Sequence, residues 1–145
     1  MSHVTSIRRA LAAALAAAFL LALLSSSAGA ATPRAGYYEG TTAQQPGSVD
    51  FKVFKYGSFS GTVRKVLKVG ATTQLTCASG EVKEDRYLVY IIMGGKIDRY
   101  GRFKYAGNGF TIRGRFTTRT SARGTLSRTV GDCRAAGVSW TAKRT

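Results

Sequence analysis

Residues 101–126 have the sequence GRFKYAGNGFTIRGRFTTRTSARGTL, and this stretch decides the expected fold. Side chains of a β-strand alternate between the two faces of a sheet. Asn108-Gly109 is a strong hairpin signal, because both loop positions of the preferred turn need positive φ. With a second loop centred on Arg119, the stretch predicts three antiparallel strands that have one apolar face and one basic face.

The hairpin register predicts which cations face one another. A loop at 108–109 places Arg102 opposite Arg115 and Lys104 opposite Arg113. The second loop places Arg123 opposite Arg115. Two interpretations are open: the long side chains extend into water and cover an apolar sheet, or an anion binds over these five cations. The five residues form the candidate binding face of the sequence.

The apolar face of the same stretch predicts part of the core. Phe103 is expected opposite Gly114, and Tyr105 opposite Ile112. Glycine inside a strand marks a bend, a bulge or a close approach of other atoms. In a small sheet that must curl to close, bending is a sufficient explanation for such glycines.

The first thirty residues have the features of a secretory signal peptide. Arg8-Arg9 forms a positive start, residues 10–24 are an apolar run, and Ala28-Gly29-Ala30 is a small-residue cleavage site. The pattern predicts a signal helix that is cleaved after Ala30. A transmembrane anchor is the alternative, but the run is shorter than the ~20 residues that a span needs.

Export defines the expected domain boundaries and location. The matches around Arg8-Arg9 favour general secretion over twin-arginine export. Residues 1–30 are the predicted signal peptide, 31–36 a flexible mature N-terminus, and 37–145 one antiparallel β domain. We expect a secreted protein with no stable membrane anchor after cleavage.

The charge of the chain points to anionic partners. The full sequence has 22 basic and 7 acidic residues. Without Arg8 and Arg9, twenty basic and seven acidic residues remain, a formal net charge of +13. Such a charge attracts polyanions in general, including anionic wall polymer, acidic polysaccharide and nucleic acid. Charge also keeps secreted proteins soluble, so a solubilising role stays open.

The only histidine, His3, lies in the predicted signal peptide. The mature chain therefore lacks the residue required for Ser-His-Asp or Cys-His catalysis and for histidine metal sites. The acidic residues Glu81, Glu84 and Asp85 have a spacing that favours a turn between strands over a catalytic pair. We expect no enzymatic activity, no cofactor and no metal site.

Two cysteines, Cys77 and Cys133, remain in the mature chain. An even cysteine count in a secreted chain predicts a disulfide. Free thiols are the alternative. Without further Cys or His ligands, the two thiols do not form an ordinary zinc site.

The rest of the mature chain predicts strand after strand and no capped helix. Residues 59–69 and 75–77 are expected in separate strands, and the apolar run at 86–93 (RYLVYIIM) in a central one. Trp140 is expected in the core. Short strands separated by Gly-rich turns indicate an all-β domain of about eight or nine strands. Short hairpin links favour an up-and-down barrel over a sandwich.

Several short motifs resemble those of uncharacterised small secreted β-domain proteins of high-GC Gram-positive bacteria of the actinobacterial type. The resemblance covers nearly the whole mature chain, and Cys77 and Cys133 lie where that group tends to carry its cysteine pair. It implies the fold and export, and it transfers no catalytic residue. The motifs are GYYEGTT at 36–42, VDFKV at 49–53, GRF at 101–103, IRGRF at 112–116, ARGTL at 122–126 and VSWTA at 138–142.

The leading functional hypothesis is an exported, non-enzymatic binding or surface-associated module. Its partner is an anionic polymer that contacts the five-cation face. Two alternatives remain: a barrel that holds a small apolar ligand, which requires a cavity, and a protein-binding or inhibitor module, which requires an exposed apolar patch.

Overall fold

The computed structural model describes residues 31–58, 61–92 and 95–145. The predicted signal helix and its cleavage site lie outside the described residues. The described chain confirms the all-β prediction, and within it no helix is long and apolar enough to cross a membrane. Eight strands follow one another: β1 (Gly36–Thr42), β2 (Ser48–Ser58), β3 (Gly61–Thr76), β4 (Val82–Tyr90), β5 (Arg102–Gly107), β6 (Phe110–Phe116), β7 (Ser121–Val130) and β8 (Cys133–Arg144).

The strands form one antiparallel sheet in the order β4-β3-β2-β1-β8-β7-β6-β5. The order contains two four-stranded meanders, β1–β4 and β5–β8, joined by pairing of β1 with β8. The sheet curls into a small barrel around one core, as the short hairpin links predicted. Each meander therefore contributes one inner and one outer face.

The β5–β6–β7 hairpins have the predicted register. Asn108 and Gly109 form the first turn, with φ of 51° and 69°. Every predicted cation pair is present: Arg102 with Arg115, Lys104 with Arg113, and Arg115 with Arg123. The alternation of residue types was sufficient here, because a one-residue slip would have turned the apolar residues outward.

Strand β3 corrects the prediction of two separate strands. It is a single strand of sixteen residues. Gly70 lies inside β3 where Asp50 of the neighbouring strand packs against it, and a Cβ at this position would meet the Asp50 carboxylate. The glycine therefore permits close packing across strands, and it does not mark a strand end.

Strand β4 corrects two further predictions. The apolar run at 86–93 is not central, because β4 is the last strand on one side of the sheet order. Glu84 and Asp85 lie within this strand rather than in a turn. Leu88 and Tyr90 point outward and are 54% and 65% exposed. A continuous apolar run does not distinguish a central strand from an edge strand that has apolar residues on both faces.

The core is built around a row of two rings and two glycines. The β-ladders align Phe103, Gly114, Gly124 and Trp140 across β5, β6, β7 and β8. The two rings lie 6.2 Å apart between centroids, above the space left by the glycines. Trp140 is buried, as predicted. Further buried rings pack against this pair, namely Tyr38, Phe51 and Phe116.

Side chains close the seam between β4 and β5, which share no ladder among the described residues. Asp85 of β4 accepts a hydrogen bond from Nε of Arg128 of β7 at 2.8 Å, and both side chains are largely buried. The Arg128 guanidinium lies 4.2 Å from the ring centroid of Tyr87, which packs against Phe110 at 4.6 Å. Burial, as the dominant influence, raises the pKa of Tyr87.

A disulfide joins the two meanders. Cys77 directly follows β3, Cys133 begins β8, and their sulfur atoms are bonded. The pairing of Thr76 with Arg134 brings β3 and β8 together beside the bond. The predicted disulfide is confirmed, and it links strands that are separated by 56 residues in sequence.

Candidate anion-binding groove

The outward-facing cations of the β5–β8 meander line one groove of about 1190 Å³. All five predicted residues are in its lining, so the structure brings the whole candidate set together. Outward-facing Thr125, Ser139 and Thr141 continue the lining across β7 and β8. We call this surface the arginine groove; it is defined by Arg102, Lys104, Arg113, Arg115 and Arg123.

The groove overlies the row of rings and glycines in the core. A Cβ on Gly114 would meet the rings of Phe103 and Trp140, and one on Gly124 would meet the Arg113 carbonyl and Trp140. The glycines therefore let the backbone of β6 and β7 sink toward the core. The cations on either side of this depression project around it, which makes a concave site from the outer face of a barrel.

Four of the five cations have no carboxylate partner among residues 31–58, 61–92 and 95–145; Arg102 alone is paired, through its Nε to the Asp98 carboxylate at 3.0 Å. Cations elsewhere in the described chain do find carboxylates: Arg128 pairs with Asp85, and Lys83 with Glu81. The groove therefore concentrates positive charge that the described residues do not neutralise.

Asp98 organises the turn that leads into β5. Its carboxylate accepts hydrogen bonds from the backbone N–H groups of Tyr100 and Arg102 at 2.8 and 2.9 Å. The Arg102 backbone N–H, its guanidinium and the Tyr100 N–H hold the pKa of Asp98 below its usual range. The Arg102 guanidinium also lies 4.8 Å from the Tyr100 ring centroid. These contacts fix the direction of one cation at the groove wall.

Lys96 is a groove residue that the sequence patterns missed. It lies in the connection between β4 and β5, outside any predicted strand, and it lines the groove with Gly95 and Asp98. An isolated β-bridge to Lys65 holds it in place. No local signal identifies it, because its position depends on a long-range backbone contact with β3.

One group of potential metal ligands occurs in the described ranges: Cys77, Asp132 and Cys133. The two cysteine sulfurs are bonded to each other, so neither is a thiolate, which is the form that binds metal. This group is separate from the arginine groove.

Comparisons of the chain with protein-family models, with curated proteins and with solved structures found no match.

Proposed function

We propose that the protein is an exported, non-enzymatic module that binds anionic polymers in the arginine groove. The observation that carries the proposal is the convergence of five cations, four of them without a carboxylate partner in the described chain, on one concave surface. Wall polymers, acidic polysaccharides and nucleic acids share the required property, a negative charge repeated along a chain.

The spacing of the cations suits a repeating ligand. Directly paired residues on neighbouring strands have Cβ atoms about 5 Å apart, and alternate residues along a strand are about 7 Å apart. The groove thus offers a grid of charges rather than a single point. Four of the five cations are arginines, whose planar guanidinium groups bind phosphate, sulfate or carboxylate oxygens in pairs.

Export is supported by two independent features. The first thirty residues have the signal-peptide pattern, and the described domain carries a disulfide between Cys77 and Cys133. Disulfides persist in oxidising, extracytoplasmic surroundings. We therefore place the groove outside the cell, where wall polymers and acidic polysaccharides are accessible.

The small-apolar-ligand alternative has less support. It needs empty space inside the barrel, and the stacked rings of Tyr38 and Phe51, at 5.1 Å, occupy the interior together with Phe103, Phe116 and Trp140.

The protein-binding alternative gains one specific observation. Leu88 and Tyr90 on β4 and the following Ile92, which is 85% exposed, form an apolar stripe beside a strand edge. Strand addition at such an edge is a common mode of peptide recognition. This candidate predicts that Leu88→Lys with Ile92→Lys removes binding of an extracellular protein partner and leaves retention on a polyanion column unchanged.

Retention on immobilised polyphosphate or dextran sulfate tests the proposed function. The test variant is Arg102→Ser, Arg113→Ser, Arg115→Ser. The matched control is Arg86→Ser, Arg134→Ser, Lys143→Ser, which removes the same charge from exposed residues outside the groove. We expect the groove variant to elute at clearly lower salt than the control, because each lost phosphate contact lowers the salt dependence by about 0.7–0.9 in log–log slope. Equal elution of the two variants would refute the proposal.

A further inference from the structure

The outer face of the β1–β4 meander carries exposed aromatic rings beside lysines. Tyr37 is 50% exposed, Tyr56 39% and Tyr90 65%. Phe54 is half-buried on the same face. We call this surface the ring–lysine face; its rings are Tyr37, Phe54, Tyr56 and Tyr90, and its cations are Lys52, Lys65 and Lys68.

The strand register interleaves the rings and the cations. One row crosses all four strands, in which Tyr37 pairs with Lys52, Lys52 with Lys68, and Lys68 with Tyr90. In the next row Phe54 pairs with Lys65. Paired residues of antiparallel strands share a face, with Cβ atoms about 4.5–5.5 Å apart. Each of these rings therefore lies within about two strand spacings of a β3 lysine.

Direct contacts hold the rings in place. The Lys52 ammonium lies 4.5 Å from the ring centroids of both Tyr37 and Phe54. It also donates a hydrogen bond to the Tyr37 hydroxyl at 3.1 Å. Phe54 and Tyr56 stack at 6.1 Å with an angle of 23° between their planes. The rings thus form an ordered platform along β1 and β2, while Lys65 and Lys68 form a parallel line of charge on β3.

We propose that the ring–lysine face binds single-stranded nucleic acid. Bases stack on the rings of β1 and β2, and the phosphates contact Lys65 and Lys68. Every base has a π-face, so ring stacking combined with a basic track is the usual means of sequence-tolerant single-strand binding. A polymer without flat rings would use the lysines and leave the aromatic platform without a role.

The geometry favours a single strand over a duplex. In a duplex the faces of the bases are covered by their neighbours, so protein rings do not stack on them. The outer face of a small barrel is also convex, and an α-helix or a narrow two-stranded ribbon is what the major groove admits. The negative charges nearest the platform, Glu39 and Asp50, lie one row away from Lys52, so the row of lysines itself is complementary to phosphate.

This inference is independent of the arginine groove, although the two surfaces meet. Lys65 is bridged to Lys96, and Lys96 lines the groove. A long polyanion could therefore contact both surfaces. The test uses a short ligand and separate variants for each surface, so that failure of one proposal leaves the other measurable.

Fluorescence anisotropy with two labelled probes tests the inference. One probe is an oligothymidylate of about ten nucleotides, and the other is an abasic oligonucleotide of the same length and charge. The protein variants are Tyr37→Ala, Tyr56→Ala and its matched control Tyr37→Phe, Tyr56→Phe, which keeps the rings. The groove variant Arg102→Ser, Arg113→Ser, Arg115→Ser is measured in parallel.

We expect the double alanine variant to lose oligothymidylate affinity by at least about fivefold per ring. The double phenylalanine variant should keep the affinity, and the abasic probe should bind the wild type weakly and the alanine variant no worse. The proposal is overturned if the wild type binds both probes equally, if the alanine variant keeps its oligothymidylate affinity, or if it loses affinity for dextran sulfate to the same extent. Circular dichroism of the alanine variant checks its fold, and failure to fold shifts the same test to Tyr56→Ala alone.

Discussion

The two meanders of the barrel both have a basic outer face, but they place their aromatic rings on opposite sides. In β5–β8, Phe103 and Trp140 point into the core over two glycines, and the outer face is lined by arginines. In β1–β4, Tyr37 and Tyr56 point outward among lysines. The difference teaches that net charge alone does not define the ligand. Where the rings face inward the surface offers charge only, and where they face outward it offers charge and stacking.

The comparison depends on the two meanders forming one unit, and the disulfide is the covalent link between them. Replacing Cys77 and Cys133 by serine should lower the free energy of unfolding by about 4 kcal/mol, because the bond closes a long loop in the unfolded chain. Urea unfolding measures the change. A loss below about 1 kcal/mol would mean that the β1–β8 pairing and the core join the meanders without help from the bond.

The inward rings of β5–β8 require the glycines beneath them. Gly124→Ala should destabilise the fold by about 1–3 kcal/mol, because the new methyl group meets the Arg113 carbonyl and the Trp140 ring. Gly57→Ala in β2 is the matched control, since a Cβ there meets nothing within 4 Å. Thermal unfolding of both variants is the measurement. Equal melting temperatures would contradict the close approach of ring and backbone.

The single acid of the arginine groove offers a pH test. The lowered pKa of Asp98 in the folded state means that its carboxylate contributes stability above the unfolded-state pKa of about 4. That contribution is lost as the pH falls through the lower folded-state pKa. The stability difference between wild type and Asp98→Asn should therefore be full at neutral pH and shrink below about pH 4.

The same variant sharpens the charge assignment of the groove. Asp98→Asn releases Arg102 from its ion pair and should raise polyphosphate affinity by a small factor, about twofold. Asn at this position keeps a carbonyl acceptor for the Tyr100 and Arg102 N–H groups. Isothermal titration checks the affinity, and a decrease would show that the ion pair orients Arg102 for binding more than it competes with the ligand.

The smallest expected effect concerns the ring–lysine face. The hydrogen bond and charge of Lys52 lower the pKa of Tyr37. Lys52→Met should return that pKa toward 10, whereas Lys55→Met on the same strand should leave it unchanged. Titration of the tyrosine ring signals by NMR measures both. No change in the Lys52 variant would show that the ammonium does not occupy its position between Tyr37 and Phe54.

The sequence predicted the β5–β7 half of the fold in detail, for a physical reason. Asn108-Gly109 specifies one turn geometry, and strict alternation of apolar and basic residues allows one register. The five groove cations followed from that register. Their convergence on a concave surface did not, because it depends on how deeply the backbone sinks at Gly114 and Gly124 under rings from β5 and β8.

The ring–lysine face was not predictable from local pattern. Its members come from four strands, and a register shift at Lys52 and Val53 changes which residues of β2 and β3 share a row. The edge position of β4 was wrong in the prediction for a related reason. The connection after β4 pairs with β3, through Ile91 to Leu67 and Ile97 to Arg64, so β5 does not continue the sheet beside β4.

Mapping of polyphosphate binding by amide NMR shifts tests the central claim most directly, because it locates the charge-only ligand on one of the two basic faces. Polyphosphate has no rings to stack, so the comparison assigns it to the arginine groove. We predict saturable shifts concentrated at Arg102, Lys104, Arg113, Arg115 and Arg123, with little change at Tyr37 and Tyr56. Shifts that spread evenly over the surface, or that concentrate on β1–β4, would contradict the account.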